Sequence, residues 1–186
     1  EINYGMRLNK KIDNEVKANF PNANLLVGIT QSVIDEYLQL GVSMERIKYV
    51  PNGVEVDRFK KVINRKTILE KYGIGNDEFV FLTVGRNHIK KNFKLIIDAL
   101  KILKLNTSMK CKVLFVGNGV KELRHYASDC SVIDSVIFSE PEFNIDYDKF
   151  QLPADELIDT YLSADVFICP SSIETFGIVI VEAMAA

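Results

Sequence analysis

The chain has 186 residues, of which 47% are hydrophobic and 26% charged, and its formal net charge is −2 at pH 7. This composition is ordinary for a globular protein with one good core and part of a second. The near-neutral charge and the lack of a Lys/Arg run argue against a nucleic-acid partner, and no apolar stretch is long enough to span a bilayer. Its three cysteines lack metal-ligand spacing, which favours reduced thiols in a cytoplasmic protein.

The first third of the chain contains one alternation of strand, helix and strand. The run NLLVGIT (24–30) is short, apolar and partly β-branched, which predicts a buried strand. Apolar residues at helical spacing follow in QSVIDEYLQLG (31–41), and Gly41 is a natural helix C-cap. The segment RIKYVPNGVEVDRF (46–59) predicts another strand that runs into a Pro-Asn-Gly turn.

After a polar linker the same alternation recurs more strongly. Strands are predicted at 78–86, 111–119, 135–140 and 166–171, and helices at 91–105, 120–127, 154–164 and over the closing residues. Strands alternating with helices indicate right-handed βαβ units. We therefore predict an α/β fold with a Rossmann-like parallel sheet and helices on both faces. Ligands bind such sheets beyond the carboxyl ends of the strands, which nominates the segments after Val84, Val116 and Cys169.

The first of these segments is glycine followed by basic residues, GRNHIKKN. Gly85 frees the backbone to turn, and Arg86 and Lys91 place fixed positive charge at the strand end, where a diphosphate could be held. Lys90 is more simply explained as part of a solvated face before a helix. The segment therefore predicts an anion site centred on Arg86.

The second segment, VGNGV (116–120), begins like a dinucleotide-binding fingerprint. Glu122 stands where the third glycine of that fingerprint should be, and the expected acidic residue further on is not evident. A nicotinamide-dinucleotide site is therefore a weak interpretation, whereas a glycine-lined loop near a ligand is a reasonable one. No glycine-rich loop ending in Gly-Lys-Ser/Thr occurs, so a P-loop for nucleoside triphosphates is not indicated.

The third segment, SSIETFGIVIVEAMAA, carries two acids eight residues apart, Glu174 and Glu182. Gly177 allows a helix to begin with free N–H groups suited to a phosphate or sugar hydroxyl. If the residues between the acids are helical, their backbones stand roughly 12 Å apart, a spacing that suits the two ends of one extended ligand better than the paired carboxylates of a glycosidase. The alternative is a core strand, because IVIV is β-branched throughout, with Glu182 on its rim.

These segments together resemble the retaining, family 4 glycosyltransferases of GT-B fold. SSIETFGIVIVEAMAA is similar to the E-x7-E stretch of that family, with Glu174 and Glu182 as its acids, and VGRNHIKKN is similar to its glycine-arginine strand end followed by Lys91. VPNGVEVDRF resembles the family's interdomain stretch, and YLSADVFICPS the segment before the acids. The motifs occur in the family's order over residues 24–186.

The resemblance implies two Rossmann-like domains that face a cleft. Residues 1–59 would be the end of the N-terminal, acceptor-side domain with the linker, and residues 60–186 most of the C-terminal nucleotide-sugar-binding domain. The chain starts at Glu1 and ends without a helix terminator, so we expect a fragment of a longer protein. Its partners would be a nucleotide-sugar donor and a glycan or lipid-linked acceptor. The implied location is cytoplasmic, at the inner face of the membrane if the N-terminal domain makes peripheral contact.

The resemblance also implies a role for each motif residue. Glu174 would contact the hydroxyls of the transferred sugar, and Glu182 the ribose. Arg86 and Lys91 would neutralise the departing diphosphate, with no metal ion and no other cofactor. Gly85 would line the donor site, and backbone groups of three residues would contact hydroxyls and phosphates: Phe176, Gly177 and Ile178.

Three departures from the family pattern limit this transfer of roles. Asn92 stands where the family usually has glycine, Glu140 occupies a position that is often glycine, and the loop at 141–153 is longer than usual. Two alternative functions remain open on the sequence alone. One is a nucleotide-sugar epimerase of GT-B fold, and the other is a non-catalytic Rossmann-like binding domain.

Overall fold

The chain forms two compact units in a computed structural model that describes residues 8–140 and 152–186. The first unit runs to Gly53 and includes Ile173–Ile178, and the second comprises Val54–Ser172 and Val179–Ala186. No helix within the described ranges combines the length and apolar character needed to cross a membrane. The predicted long acidic and aromatic loop lies almost wholly outside the described residues.

The first unit is a small parallel α/β arrangement. Its elements are α1 (Lys10–Asn19), β1 (Leu26–Gly28), α2 (Gln31–Gln39) and β2 (Ile47–Tyr49). The two strands pair in parallel, with Leu26 opposite Ile47, and Ile34, Val42 and Ile47 form the buried core. The predicted strand, helix and strand are confirmed.

Gly41 ends α2 as predicted. Its φ is +87°, a conformation that glycine adopts without steric cost. Its N–H donates to the carbonyl of Leu38, and the next N–H, of Val42, donates to Tyr37. This pair of hydrogen bonds is the Schellman motif, which satisfies helix carbonyls that would otherwise lack donors.

The second unit is built on a four-stranded parallel sheet with the strand order β5-β4-β3-β6. Its strands are β3 (Phe79–Val84), β4 (Cys111–Val116), β5 (Val136–Ser139) and β6 (Val166–Phe167). Its helices are α3 (Arg65–Lys71), α4 (Lys94–Asn106), α5 (Arg124–Asp129), α6 (Asp155–Ser163) and α7 (Ile178–Ala185), the last of which begins within the first unit.

Helices cover both faces of this sheet, as predicted. Successive side chains of a strand point to opposite faces, and β4 uses both. Val113 and Phe115 pack in a cluster with residues of α4 and α5, whereas Leu114 and Val116 pack in another with residues of α6 and α7. The strands are therefore mostly apolar on both faces, as expected for a parallel sheet buried on both sides.

Two of the predicted elements need correction. The segment after residue 59, predicted to be a polar linker, contains α3, whose Ile68 and Leu69 are buried. The helix predicted from Lys91 begins at Lys94 instead, because residues Ile89–Lys91 form a separate 3₁₀ turn. Lys91 therefore belongs to the loop that follows β3 and not to α4.

Candidate functional site

The order of the strands changes direction between β3 and β6. From β3 the chain moves outward through β4 to β5, and it then returns to pair β6 with the other side of β3. In an open parallel sheet, this switch point leaves a crevice outside the carboxyl ends of the two strands. The segments after β3 and β6, both nominated from the sequence, are those that border the switch point.

Backbone hydrogen bonds hold three strand-end segments together. The N–H of Gly85 donates to Val116 at 2.9 Å, and the N–H of Asn87 donates to Asn118 at 2.8 Å, so the segments after β3 and β4 continue the ladder beyond the strands. On the other side of β3, the N–H of Ser172 donates to the carbonyl of Lys90 at 2.9 Å. The backbone of the basic loop is thus fixed from both sides.

Gly85 and Gly117 make this close approach possible. A Cβ atom added to Gly117 would lie 2.1 Å from the carbonyl oxygen of Gly85, and the φ of Gly117 is +143°. The glycine that resembled the start of a dinucleotide fingerprint is therefore required for the packing of two loops. Glu122, which replaces the third glycine of that fingerprint, accepts a hydrogen bond from the Asn87 side chain at 3.1 Å.

The basic residues differ in how firmly they are held. Arg86 is exposed directly beyond β3, whereas Lys91 is half-buried. A Cβ atom on Gly85 would lie 3.6 Å from Cε of Lys91, so the aliphatic part of Lys91 lies over Gly85. His88 has a structural role, since its Nδ1 accepts from the N–H of Lys90 at 3.3 Å. The structure thus brings Gly85, Arg86 and Lys91 together in one loop.

Asn92 departs from the family pattern in residue type but keeps the backbone conformation. Its φ is +52° and its ψ is 37°, which is the left-handed helical region. Glycine adopts that region freely, and asparagine tolerates it better than most other residues do. The turn between Lys91 and α4 therefore needs a residue of this kind, and the substitution is conservative in that respect.

The acidic segment after β6 is only partly helical. Helix α7 begins at Ile178, directly after the buried Gly177, whose φ is +79°. Glu174 precedes the helix by four residues and is exposed in a segment without regular structure, and Phe176 is half-buried. Gly177 therefore precedes the helix as predicted, but the separation of roughly 12 Å expected for two acids on one continuous helix does not apply.

Glu182 is buried, with 6% of its surface exposed. It lies on α7, so the alternative prediction of a core strand with this residue on its rim is wrong. Its Oε2 accepts a hydrogen bond from the hydroxyl of Tyr161 on α6 at 2.8 Å. Burial raises the pKa of the Glu182 carboxyl, and the hydrogen bond from Tyr161 partly offsets that rise.

The sequence did not single out Tyr161. Burial, and then the neighbouring Glu182, raise the pKa of its hydroxyl far above the usual range, so the hydroxyl stays protonated and donates. The rings of Phe59 and Phe167 lie 6.4 and 5.7 Å from its ring, measured between centroids. The helix that carries Tyr161 was predicted, but its contact with Glu182 was not, because the contact joins residues 21 positions apart.

The model of the family "Glycosyl transferases group 1" matches residues 64–186, and the chain therefore belongs to that family. A D-inositol 3-phosphate glycosyltransferase of Xylanimonas cellulosilytica is 30% identical in an alignment of 173 positions that covers 88% of this chain and 39% of the relative. The alpha-monoglucosyldiacylglycerol synthase of Streptococcus pneumoniae is 27% identical over 85% of this chain and 34% of its own length. The chain thus spans well under half the length of these relatives.

Solved glycosyltransferases share the fold. The structure of WaaG, a glycosyltransferase involved in lipopolysaccharide biosynthesis, has a TM-score of 0.75 at 22% identity and covers 98% of this chain and 50% of its own. Anabaena HepE in complex with UDP-glucose has a TM-score of 0.74 at 21% identity, over 97% of this chain and 47% of its own. These likenesses confirm the predicted fold class, that of the GT-B glycosyltransferases.

Proposed function

We propose that the whole protein transfers a hexose from a nucleotide-diphospho-sugar to a glycan or glycolipid acceptor, with retention of anomeric configuration and without a metal ion. The observation that carries the proposal is the basic loop at the switch point between β3 and β6, in a chain of the group 1 glycosyltransferase family. Cationic side chains on a loop that borders that crevice are suited to bind a diphosphate leaving group.

Arg86 and Lys91 would stabilise the charge that develops on the β-phosphate as the glycosidic bond breaks. A preorganised cation contributes more to catalysis than a mobile one, because it needs no reorganisation at the moment of reaction. The contact between Lys91 and Gly85 and the backbone hydrogen bonds on both sides of the loop support this role. The guanidinium of Arg86 can bind two phosphate oxygens at once.

The acidic segment would bind the rest of the donor. By its match to the family motif, Glu174 contacts the transferred sugar and Glu182 the ribose, while the N-terminus of α7 with Phe176 and Gly177 offers N–H groups to hydroxyls and phosphates. The burial of Glu182 supports a binding role, since a buried carboxylate is costly to stability unless it has partners.

The names of the relatives support a nucleotide-sugar donor and a small polyol or lipid acceptor. HepE was crystallised with UDP-glucose, and the relatives' names refer to inositol 3-phosphate and to a diacylglycerol. We therefore propose a lipid-linked or glycan acceptor bound mainly by the N-terminal domain, with peripheral membrane contact through that domain.

Calorimetric titration of the full-length protein with UDP, GDP and ADP tests the donor site. We expect one of these diphosphates to bind, and Arg86→Ala and Lys91→Ala each to weaken that binding about 10- to 100-fold. The same substitutions should weaken binding of the corresponding monophosphate much less, because it lacks the β-phosphate. The control is Lys66→Ala, which removes an exposed lysine of α3 that pairs with Glu70.

Product analysis then separates transfer from the alternatives. A transferase forms a new glycoside only when acceptor is present, an epimerase converts the nucleotide-sugar without acceptor, and a binding module does neither. Retention is tested by the NMR coupling constant of the new anomeric proton, and metal independence by activity in a chelator. Wild-type affinity for the diphosphate in Arg86→Ala and Lys91→Ala would contradict the proposed site.

A further inference from the structure

The buried hydrogen bond between Tyr161 and Glu182 joins helix α6 to helix α7. Tyr161 is 4% exposed and Glu182 6% exposed, and 2.8 Å separates the tyrosine hydroxyl from Oε2 of the carboxylate. A buried carboxylate is a poor choice for stability alone, because an apolar residue at the same position would avoid the cost of desolvation. The burial of this pair is therefore better explained by a functional role than by a contribution to stability.

We propose that Tyr161 is a positioning residue that holds the Glu182 carboxylate, in its ionised form, for the ribose hydroxyls of the donor nucleotide. The inference rests on the proposed donor site and assigns a residue to it that lies outside the E-x7-E motif. Tyr161 acts through Glu182 and need not touch the nucleotide itself.

The two oxygens of the Glu182 carboxylate can bind different partners. Tyr161 occupies Oε2, and an ionised carboxylate can accept about four hydrogen bonds through its two oxygens. Oε1 is thus the oxygen left for a ribose hydroxyl. With one oxygen fixed, the rotation of the carboxylate about its last bond is restricted, so less entropy is lost when the ribose binds.

Tyr161 is itself held in place by its surroundings. The rings of Phe59 and Phe167 pack near its ring. Its neighbour on α6, Thr160, shares a hydrogen bond of 2.9 Å with the hydroxyl of Tyr72. These contacts restrict the Tyr161 side chain and therefore fix the position of its hydroxyl, as a positioning residue requires.

The charges around the pair support the same role. The hydroxyl of Tyr161 stays protonated because burial and the nearby carboxylate raise its pKa far above neutrality. Burial raises the pKa of the Glu182 carboxyl, and the hydrogen bond from Tyr161 opposes that rise. Among the described residues, Cys169, which follows β6, also adds to the rise in the pKa of Tyr161.

The test measures how well the full-length protein distinguishes a ribonucleotide from its 2′-deoxy analogue. The probe is UDP, GDP or ADP, whichever binds the wild type most tightly, together with the matching 2′-deoxy diphosphate. We expect the wild type to bind the ribonucleotide about 10-fold or more tightly than its 2′-deoxy analogue. Glu182→Gln should lose most of this preference, and Tyr161→Phe should reduce it about 5-fold. On acidification, binding by Tyr161→Phe should also weaken at a higher pH than binding by the wild type. Without the hydrogen bond from Tyr161, the Glu182 carboxylate is protonated at a higher pH.

Tyr72→Phe is the matched control. It removes one hydroxyl from the hydrogen bond with Thr160, next to Tyr161, and leaves the Glu182 contact intact. A merely structural role for Tyr161 would make the two Tyr→Phe variants alike in ribose preference and pH profile.

The outcomes separate this inference from the proposed function. If Glu182→Gln loses the ribose preference and Tyr161→Phe keeps it, the positioning role is overturned while the donor site stands. If Glu182→Gln keeps the preference although nucleotide binds, the ribose contact of Glu182 is wrong and the inference falls with it. If the wild type binds no nucleoside diphosphate, the donor site itself is overturned.

Discussion

Glu182 lies among apolar residues of α7, and its carboxylate accepts a hydrogen bond from the hydroxyl of Tyr161. Burial raises its pKa above the value of 4.5 that applies to an exposed glutamate. The folded protein consequently holds this proton more tightly than the unfolded chain does. Ionisation of Glu182 therefore reduces the free energy of unfolding, and this loss develops as the pH rises through the raised pKa.

We expect Glu182→Gln to stabilise the protein above neutral pH by about 1 kcal/mol, a common gain when a costly functional group is replaced. The amide oxygen of the glutamine can still accept from Tyr161, so the gain comes from the removed charge. The advantage over the wild type should shrink as the pH falls through the raised pKa, and below about 4.5 it should be constant. Urea unfolding of both proteins between pH 5 and pH 8 measures it. A difference that does not vary over this range would contradict the account.

The burial of Glu182 could be predicted from its apolar neighbours, but its secondary structure could not. Four β-branched residues, Ile178–Val181, favour an extended chain, yet they form the first turn of α7. Tertiary packing favours the helix over the strand, because α7 contributes Val179 and Ala183 to the apolar cluster that contains Ile158. Local propensity is a weak prior where such contacts form.

At the scale of elements, the ends of β3 and β4 depend on the close approach of Gly85 and Gly117. The added Cβ of an alanine at Gly117 would lie 2.1 Å from the carbonyl oxygen of Gly85, and the φ of +143° is strained for any residue but glycine. The loops would have to separate, and that movement would displace Gly85 and the basic residues after it.

We expect Gly117→Ala to lower the free energy of unfolding by about 2 kcal/mol or more, and to weaken binding of the nucleoside diphosphate by displacing Arg86. Thermal unfolding and the calorimetric titration measure the two effects. Gly53→Ala is the matched control, since nothing lies within 4 Å of a Cβ added there. Equal stability of the two variants would show that the close approach is not needed.

Some of the helices and strands could be predicted from sequence patterns alone, and others could not. The alternation of strands and helices was enough to predict the parallel sheet and its strand-end segments, because fully buried strands have continuous apolar runs. Helix α3 was missed because it is short and lies in a polar segment. Asn64, whose side chain accepts from the N–H of Thr67, was its local signal. The hydrogen bond from Ser172 to Lys90 had no such signal, because it joins two loops that are distant in sequence.

Across the whole molecule, the apolar core is distributed unevenly between the two units. Among the described residues, the largest fully buried side chains all belong to the second unit: Phe115, Leu69, Leu82, Ile97, Leu114 and Ile158. The first unit buries Ile34, Val42 and Ile47 under a two-stranded sheet. Its strands are also partly exposed, since Val27 is 48% exposed and Tyr49 60% exposed. An isolated pair of strands is marginal in stability.

We therefore expect the 186-residue chain to open in two steps, the first unit before the second. In native-state hydrogen exchange, protected amides of β1 and β2 should exchange at least about 100-fold faster than those of β3 and β4, which corresponds to about 2.7 kcal/mol. Two matched truncations sharpen the test. Val42→Ala should accelerate exchange in β1 and β2 alone, because Val42 packs with Ile34 and Ile47. Val113→Ala should accelerate exchange in β3 and β4. Equal protection of the two sheets, with either substitution affecting both, would mean that the chain unfolds as a single cooperative unit.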